Sequence, residues 1–357
     1  MPTMNAKSYR TPPMEPVCLA IHLTYQCPLT CDHCCFSSNM QTHGHLSLEQ
    51  VLRAIEEARD LPSIRVVAFT GGDPFLQRDI LRQAIAHATA QGFATRVVTS
   101  AYWATTPEKA ARALTPLAQA GLKEISLSFD DSHAEFVRPV SIRNAYLSAR
   151  ELGLSTAVSI CLEPDCKITG ETVRELLGAD PSDASARLLI FESRITTTGR
   201  ASDEQDAARI SRRKTEQTAY TGPCPHVLRQ PTITPSGKML ACCGTIPFRE
   251  GLQIGDFAVD TVGEAVQAAF QNDVLKWIAF EGPVQILKQI TADTPNPLTE
   301  LDFDGICNAC DVLFGTPEYR ERLREALPTK LHSLRVQEAV YEGAGLYRPS
   351  PREPKQE

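Results

Sequence analysis

Cys27, Cys31 and Cys34 stand at spacings of four and three residues in Cys27-Pro28-Leu29-Thr30-Cys31-Asp32-His33-Cys34, directly after an apolar stretch. Thiolates this close together can wrap one small iron–sulfur core. Such cores usually take four cysteine ligands, so three leave one iron with an open position, and an open metal position serves chemistry rather than stapling. The competing reading is a structural zinc site completed by Cys35, His33, His43 or His45. Structural zinc sites draw their ligands from two paired knuckles, which this triplet does not supply. Cys35 adjoins Cys34 and is expected to point elsewhere.

The elements that must position these thiols are legible around them. From residue 17 to about 194, β-rich segments alternate with helical patterns, as in repeated βα units that build a parallel sheet. Strands are expected at Val17 to Leu23, Arg65 to Thr70, Thr95 to Ser100, Glu124 to Asp130, Thr156 to Leu162 and Arg187 to Glu192. Ser47 with Gln50 forms a capping box, Pro107 opens a helix, and Gly92, Gly121 and Gly153 follow helix ends. Six such units make either a doubly wound sheet or a partial barrel; both keep reactive loops at the strands' C-terminal ends, where the triplet lies. A polar stretch at 201–222 reads as a linker. Beyond it, Thr232-Ile233 and Lys238 to Ala241, joined by Pro235-Ser236-Gly237, signal a hairpin. Helices are expected near 261–280 and 317–342, and a disordered tail at the end.

A second cysteine set follows the linker: Cys224, Cys242, Cys307 and Cys310. A hairpin and a distant Cys-x2-Cys knuckle would bring these together as a complete ligand set for one further cluster without an open iron. Zinc suits four thiolates equally, and Cys243 is an alternative to Cys242. Cys18, within the first strand, reads as a small core residue, and Cys166 has no assigned role.

The chain has 357 residues and a net charge of -7, which argues against a nucleic-acid surface, since that needs clustered Lys and Arg. No apolar run is long enough to span a bilayer and no signal peptide is visible, so no membrane partner and a cytoplasmic location are expected. In a reducing cytosol the twelve cysteines point to metal rather than to disulfides.

The Cys-x3-Cys-x2-Cys triplet with His33 before its last cysteine resembles the defining motif of the radical S-adenosylmethionine (SAM) superfamily. The resemblance implies a partial (β/α)6 barrel at 17–200 after an N-terminal extension at 1–16. Cys27, Cys31 and Cys34 would hold a 4Fe-4S cluster whose fourth iron is chelated by SAM, and His33 would lie beside the adenine. Thr70-Gly71-Gly72-Asp73-Pro74 is similar to the Gly-Gly-Glu-Pro motif that receives the methionine ammonium, with Asp73 shorter than the usual Glu. Thr99-Ser100 and Ser126-Leu127-Ser128-Phe129-Asp130, with His133 and Arg138 downstream, resemble the ribose- and carboxylate-binding segment; Ser100, Ser128, Asp130 and Arg138 are the candidates. Gly199-Arg200-Ala201 resembles a segment common before the C-terminal cluster domain. The second set resembles a twitch domain, the one-cluster relative of SPASM, giving a cysteine-rich auxiliary 4Fe-4S domain with a β-hairpin and helices at 223–315 and C-terminal helices with a tail at 316–357.

The resemblance implies reductive cleavage of SAM and hydrogen abstraction from a substrate held between two clusters, with an external flavodoxin- or ferredoxin-type reductant. Cys161, near the end of the fifth strand, is a candidate hydrogen donor, which would make the outcome epimerisation rather than oxidation or cross-linking; the alternative is packing. Tyr102, Trp103, Arg194 and Arg200 are placed near the substrate by location. The favoured substrate is a ribosomally made peptide. The short N-terminus is expected to leave no room for a fused leader-binding domain, so that a separate recognition protein would serve. The alternatives are dehydrogenation of a small molecule such as an aminocyclitol, and a non-catalytic protein stapled by zinc or clusters.

Overall fold

The computed structural model describes residues 14–180, 183, 187–203, 220–243 and 249–345. The extension up to residue 13, most of the expected linker and the end of the tail lie outside these. Six parallel strands form as expected: β1 (Cys18–Thr24), β2 (Val66–Gly71), β3 (Ala94–Thr99), β4 (Glu124–Ser128), β5 (Ser155–Leu162) and β6 (Leu188–Arg194). Each pairs with the next in sequence order, so the sheet is singly wound. That order belongs to a partial barrel and excludes the doubly wound alternative, whose strand order reverses part-way.

Helices return the chain between strands. Helix α1 (Leu48–Glu57) starts at the expected capping box, with Ser47 accepting from the Gln50 amide and Gln50 bonding back. Helix α2 is Arg78–Ala90, α3 is Pro107–Gln119, α4 is the single turn Asp131–Ala134, α5 is Pro139–Glu151 and α6 is Gly170–Leu177. Their buried faces (Val51, Ala54 and Ile55 in α1; Leu81, Ala84, Ile85 and Ala88 in α2) are apolar at helical spacing and pack on the outside of the sheet.

The expected hairpin forms as β7 (Thr232–Ile233) and β8 (Lys238–Leu240) and gains a strand, β9 (Gln253–Asp256). It is not separate from the barrel sheet. Strand β7 pairs parallel with β1, at Ala20 with Thr232 and Ile21 with Ile233, making one sheet in the order β6-β5-β4-β3-β2-β1-β7-β8-β9. The expected 261–280 helix is two, α7 (Val262–Gln271) and α8 (Asp273–Phe280), because the Asn272 side chain caps the second through the Val274 and Leu275 amides. Helices α9 (Pro283–Ile290), α10 (Ile306–Gly315) and α11 (Pro317–Gly343) complete the chain. No helix among the described residues is long and apolar enough to cross a membrane.

Candidate active site

The loop after β1 carries the cysteine triplet into a cavity of about 360 Å³ at the C-terminal ends of the strands. Cys27, Cys31 and Cys34 all line it, with His33, Cys35 and Phe36. The loop is held by its backbone: the Cys34 amide donates to the Cys31 carbonyl at 3.1 Å and the Ser38 amide to the Cys34 sulfur at 3.4 Å. Burial, reinforced by the charges of Asp73 and Cys34, pushes the Cys27 thiol up to about 12, and burial with Asp130 and the neighbouring thiols raises Cys31 as well. Thiols so desolvated ionise only against a cation, which is what metal ligation supplies.

Segment Gly199-Arg200-Ala201 grips this loop. Gly199 has a φ of 54° and packs so closely that a Cβ there would lie 2.4 Å from the Cys35 carbonyl oxygen and 2.6 Å from that of Cys34. The Arg200 amide donates to the Cys34 carbonyl at 3.0 Å, and its guanidinium donates to the Cys31 and Ser38 carbonyls. The expectation of Arg200 in the substrate pocket is therefore corrected: it is absent from the cavity wall and clamps the cluster loop from behind.

Gly71 and Gly72 end β2 on the cavity wall. Close approach explains both glycines, since a Cβ would lie 2.2 Å from the Thr24 carbonyl oxygen at Gly71 and 2.0 Å from that of Gln26 at Gly72. Asp73 is the second correction. Its carboxylate is fully buried, accepts from Phe75 N at 3.1 Å, from both the amide and the hydroxyl of Ser100 at 3.0 and 2.8 Å, and from Thr99 Oγ1 at 2.9 Å, and it is not on the cavity wall. The shorter side chain is consumed in fixing the end of β3, so Asp73 is not placed to receive an ammonium. Ser100 and Ser128 do face the cavity.

Asp130, at the end of β4, is a buried hub. One oxygen accepts from His33 Nε2 at 3.0 Å and sits 2.8 Å from His133 Nδ1, while the other accepts the Cys161 amide at 3.2 Å. Burial opposes its charge, yet the hydrogen bonds from His133 and His33 outweigh it and hold the carboxyl far below the usual range. Asp130 thus ties the cluster loop to β5 and sets Cys161 on the cavity wall. Its engaged oxygens explain why His33, Asp130 and Cys161 lie within 4.8 Å of one another.

Cys161 pairs in register with Ser193, its sulfur 3.9 Å from the Ser193 hydroxyl, and burial raises its thiol to about 12. Arg194 also lines the cavity and is the one Lys or Arg among the described lining residues. Arg138 instead caps α5, exposed and off the cavity wall, so it is not placed as the carboxylate partner. Tyr102 and Trp103 are not on the wall either; Trp103 stacks on Phe75 at 4.3 Å and donates to Thr99. Ser159 and Ser193, missed in the sequence, do line it. The available signal was the two-residue step from Ser159 to Cys161 on one strand face.

The second set converges as well. Cys307 and Cys310 sit one turn apart on α10, and Cys310 is electrostatically coupled to Cys242, Cys224 and Cys307. Burial raises the Cys224 thiol to about 11. Cys243 turns away from the set, its sulfur 3.5 Å from His22 Nε2. The supports of the two sets share one segment: the Thr197 amide donates to Asp304 at 2.8 Å and its carbonyl accepts from Asn308 at 2.8 Å, two residues before the Gly199 clamp.

Among the described residues, His33, Asp130 and Cys161 bring their ligand atoms within 4.8 Å of one another.

Residues 21–162 match the family model of the Radical SAM superfamily. YydG of Bacillus subtilis (strain 168), a protein named for peptide biosynthesis, is 21% identical over 305 residues, which is 84% of this chain and 92% of that protein. The solved structure of anSMEcpe with bound AdoMet and Cp18Cys peptide shares the fold at a TM-score of 0.50 and 11% identity, covering 90% of this chain and 99% of that one. SuiB of Streptococcus suis bound to S-adenosylmethionine aligns at a TM-score of 0.45 and 14% identity over 88% of this chain and 77% of that one.

Proposed function

We propose that this chain is an iron–sulfur enzyme of the radical SAM superfamily and that it acts on a peptide, breaking one carbon–hydrogen bond and remaking it with hydrogen returned by Cys161. The observation that carries the reading is Cys161 itself: a thiol on the cavity wall, kept protonated by burial and fixed by the Asp130 hub. When bound, the cluster and SAM supply the radical that removes the substrate hydrogen. Cys27, Cys31 and Cys34 hold that cluster, and the backbone at Gly71 and Gly72 with the side chains of His33, Ser100 and Ser128 forms the SAM wall. Cys224, Cys242, Cys307 and Cys310 hold an auxiliary 4Fe-4S cluster.

The substrate radical takes the hydrogen of the Cys161 thiol, so a C–H bond forms as the S–H bond breaks. The thiyl left behind regains one electron from an external flavodoxin- or ferredoxin-type reductant and one proton from water. The net result is a change of configuration. A peptide substrate is supported by the naming of YydG for peptide biosynthesis.

The test is anaerobic reconstitution and turnover in heavy water, with peptides encoded beside the gene. Epimerisation through an exchangeable thiol places one deuterium on the product carbon. Cys161→Ala should abolish that deuterium while 5'-deoxyadenosine still forms; deuterium incorporation unchanged in the variant would sink the assignment.

A further inference from the structure

Strand β6 is the last strand at one end of the sheet. In a parallel sheet each strand directs alternate backbone groups to each neighbour; on the outer side of β6 those groups have no strand partner among the described residues. Its side chains divide by face. Leu188 and Ile190 pack toward the core, while Leu189 and Phe191 are 56% and 54% exposed. Register fixes where the exposed pair points: Leu189 lies beside Ala157, Phe191 beside Ser159 and Ser193 beside Cys161. Ser159, Cys161 and Ser193 line the cavity. Leu189 and Phe191 therefore share the cavity's face, an apolar stripe running away from Cys161 along the open side of the barrel.

Two large apolar side chains on an exposed strand edge are a liability that proteins usually remove with charge. Here the strand's own carboxylate, Glu192, lies on the opposite face and accepts the Gly170 amide at 2.6 Å. At the cavity end of the strand, Arg194 is among the lining residues, and its guanidinium makes no ion pair or hydrogen bond among the described residues. The surface therefore calls for an extended backbone, alternating apolar side chains and one carboxylate.

We propose that the open edge of β6 receives the substrate as an added strand, with alternate side chains packing on Leu189 and Phe191, an acidic group reaching Arg194, and the reacting residue opposite Ser193, before Cys161. This rests on the peptide reading above. Neighbouring strands bring same-face side chains within about 5 Å, so strand addition would supply both the binding contacts and the delivery of a backbone carbon to the thiol.

The probe is a fluorescein-labelled synthetic peptide, leucine-serine-leucine-serine-glutamate, and a second copy N-methylated at alternate amides, each added to the iron-loaded protein with SAM. The first should bind and slow hydrogen–deuterium exchange across 188–194, while the methylated copy should not. Leu189→Ser, Phe191→Ser and Arg194→Gln should each weaken binding about tenfold or more. Leu189 and Phe191 are exposed, so thermal melts should show their serine variants folded. Failure of the parent peptide to bind, absence of protection on β6, or indifference to N-methylation and to Phe191→Ser would overturn the docking. Peptide turnover by the Phe191→Ser enzyme at the parent rate would overturn the docking alone, whereas 5'-deoxyadenosine formation coupled to an aminocyclitol and to no peptide would overturn the reading beneath it.

Discussion

Substituting Gly199 by alanine tests whether the clamp sets the geometry of the cluster loop. At a φ of 54° an L side chain costs about 1–2 kcal/mol. The new Cβ would also lie 2.4 Å from the Cys35 carbonyl oxygen and 2.6 Å from that of Cys34, where real Cβ contacts are essentially never below 3.0 Å. The loop must then retreat by roughly 0.6 Å, and such overpacking costs about 1–3 kcal/mol more. Together Gly199→Ala should lower stability by about 2–5 kcal/mol, and the displacement exceeds the roughly 0.2 Å within which metal ligands tolerate error. Gly153→Ala is the control: its φ is 71° and no heavy atom lies within 4 Å of the added Cβ, so it bears the conformational cost alone. Urea unfolding of both variants measures the difference, and iron and sulfide per chain after anaerobic reconstitution measure the site. Equal destabilisation of the two, with full iron in Gly199→Ala, would refute the clamp.

Cys242→Ala should remove the auxiliary cluster, taking the iron content from about eight to about four per chain, whereas Cys243→Ala should leave it unchanged; metal analysis of both reconstituted variants decides. His22 is fully buried, and burial lowers its pKa from 6.5 to about 3. The folded protein refuses a proton that the unfolded chain accepts, so this group's contribution falls as pH drops from 6.5 toward 3. Stability should decline by about 2 kcal/mol from this group between pH 7 and pH 5. Urea midpoints across that range should show the slope, and His22→Asn should flatten it while lowering stability throughout; an unchanged slope in the variant would remove His22 as its source.

Much of this molecule was written in local order. The Cys27, Cys31 and Cys34 spacing, the six strands and the Ser47 capping box depend on residues only a few positions apart, and short-range sterics and hydrogen bonding settle them. The hairpin that carries Cys242 and the helix that carries Cys307 and Cys310 were legible for the same reason. What each polar side chain does was decided elsewhere. A strand-end residue faces the ligand or the protein according to what the neighbouring strand presents. Asp73 and Arg200 were spent on Ser100 and on the Cys31 and Ser38 carbonyls, partners up to 169 positions away in sequence. Sheet closure likewise set β7 against β1, turned Cys243 to His22, and left Leu189 and Phe191 on the open edge beside the cavity. Those choices follow from long-range packing, in which a side chain's role is fixed by groups that the chain brings near only when it folds.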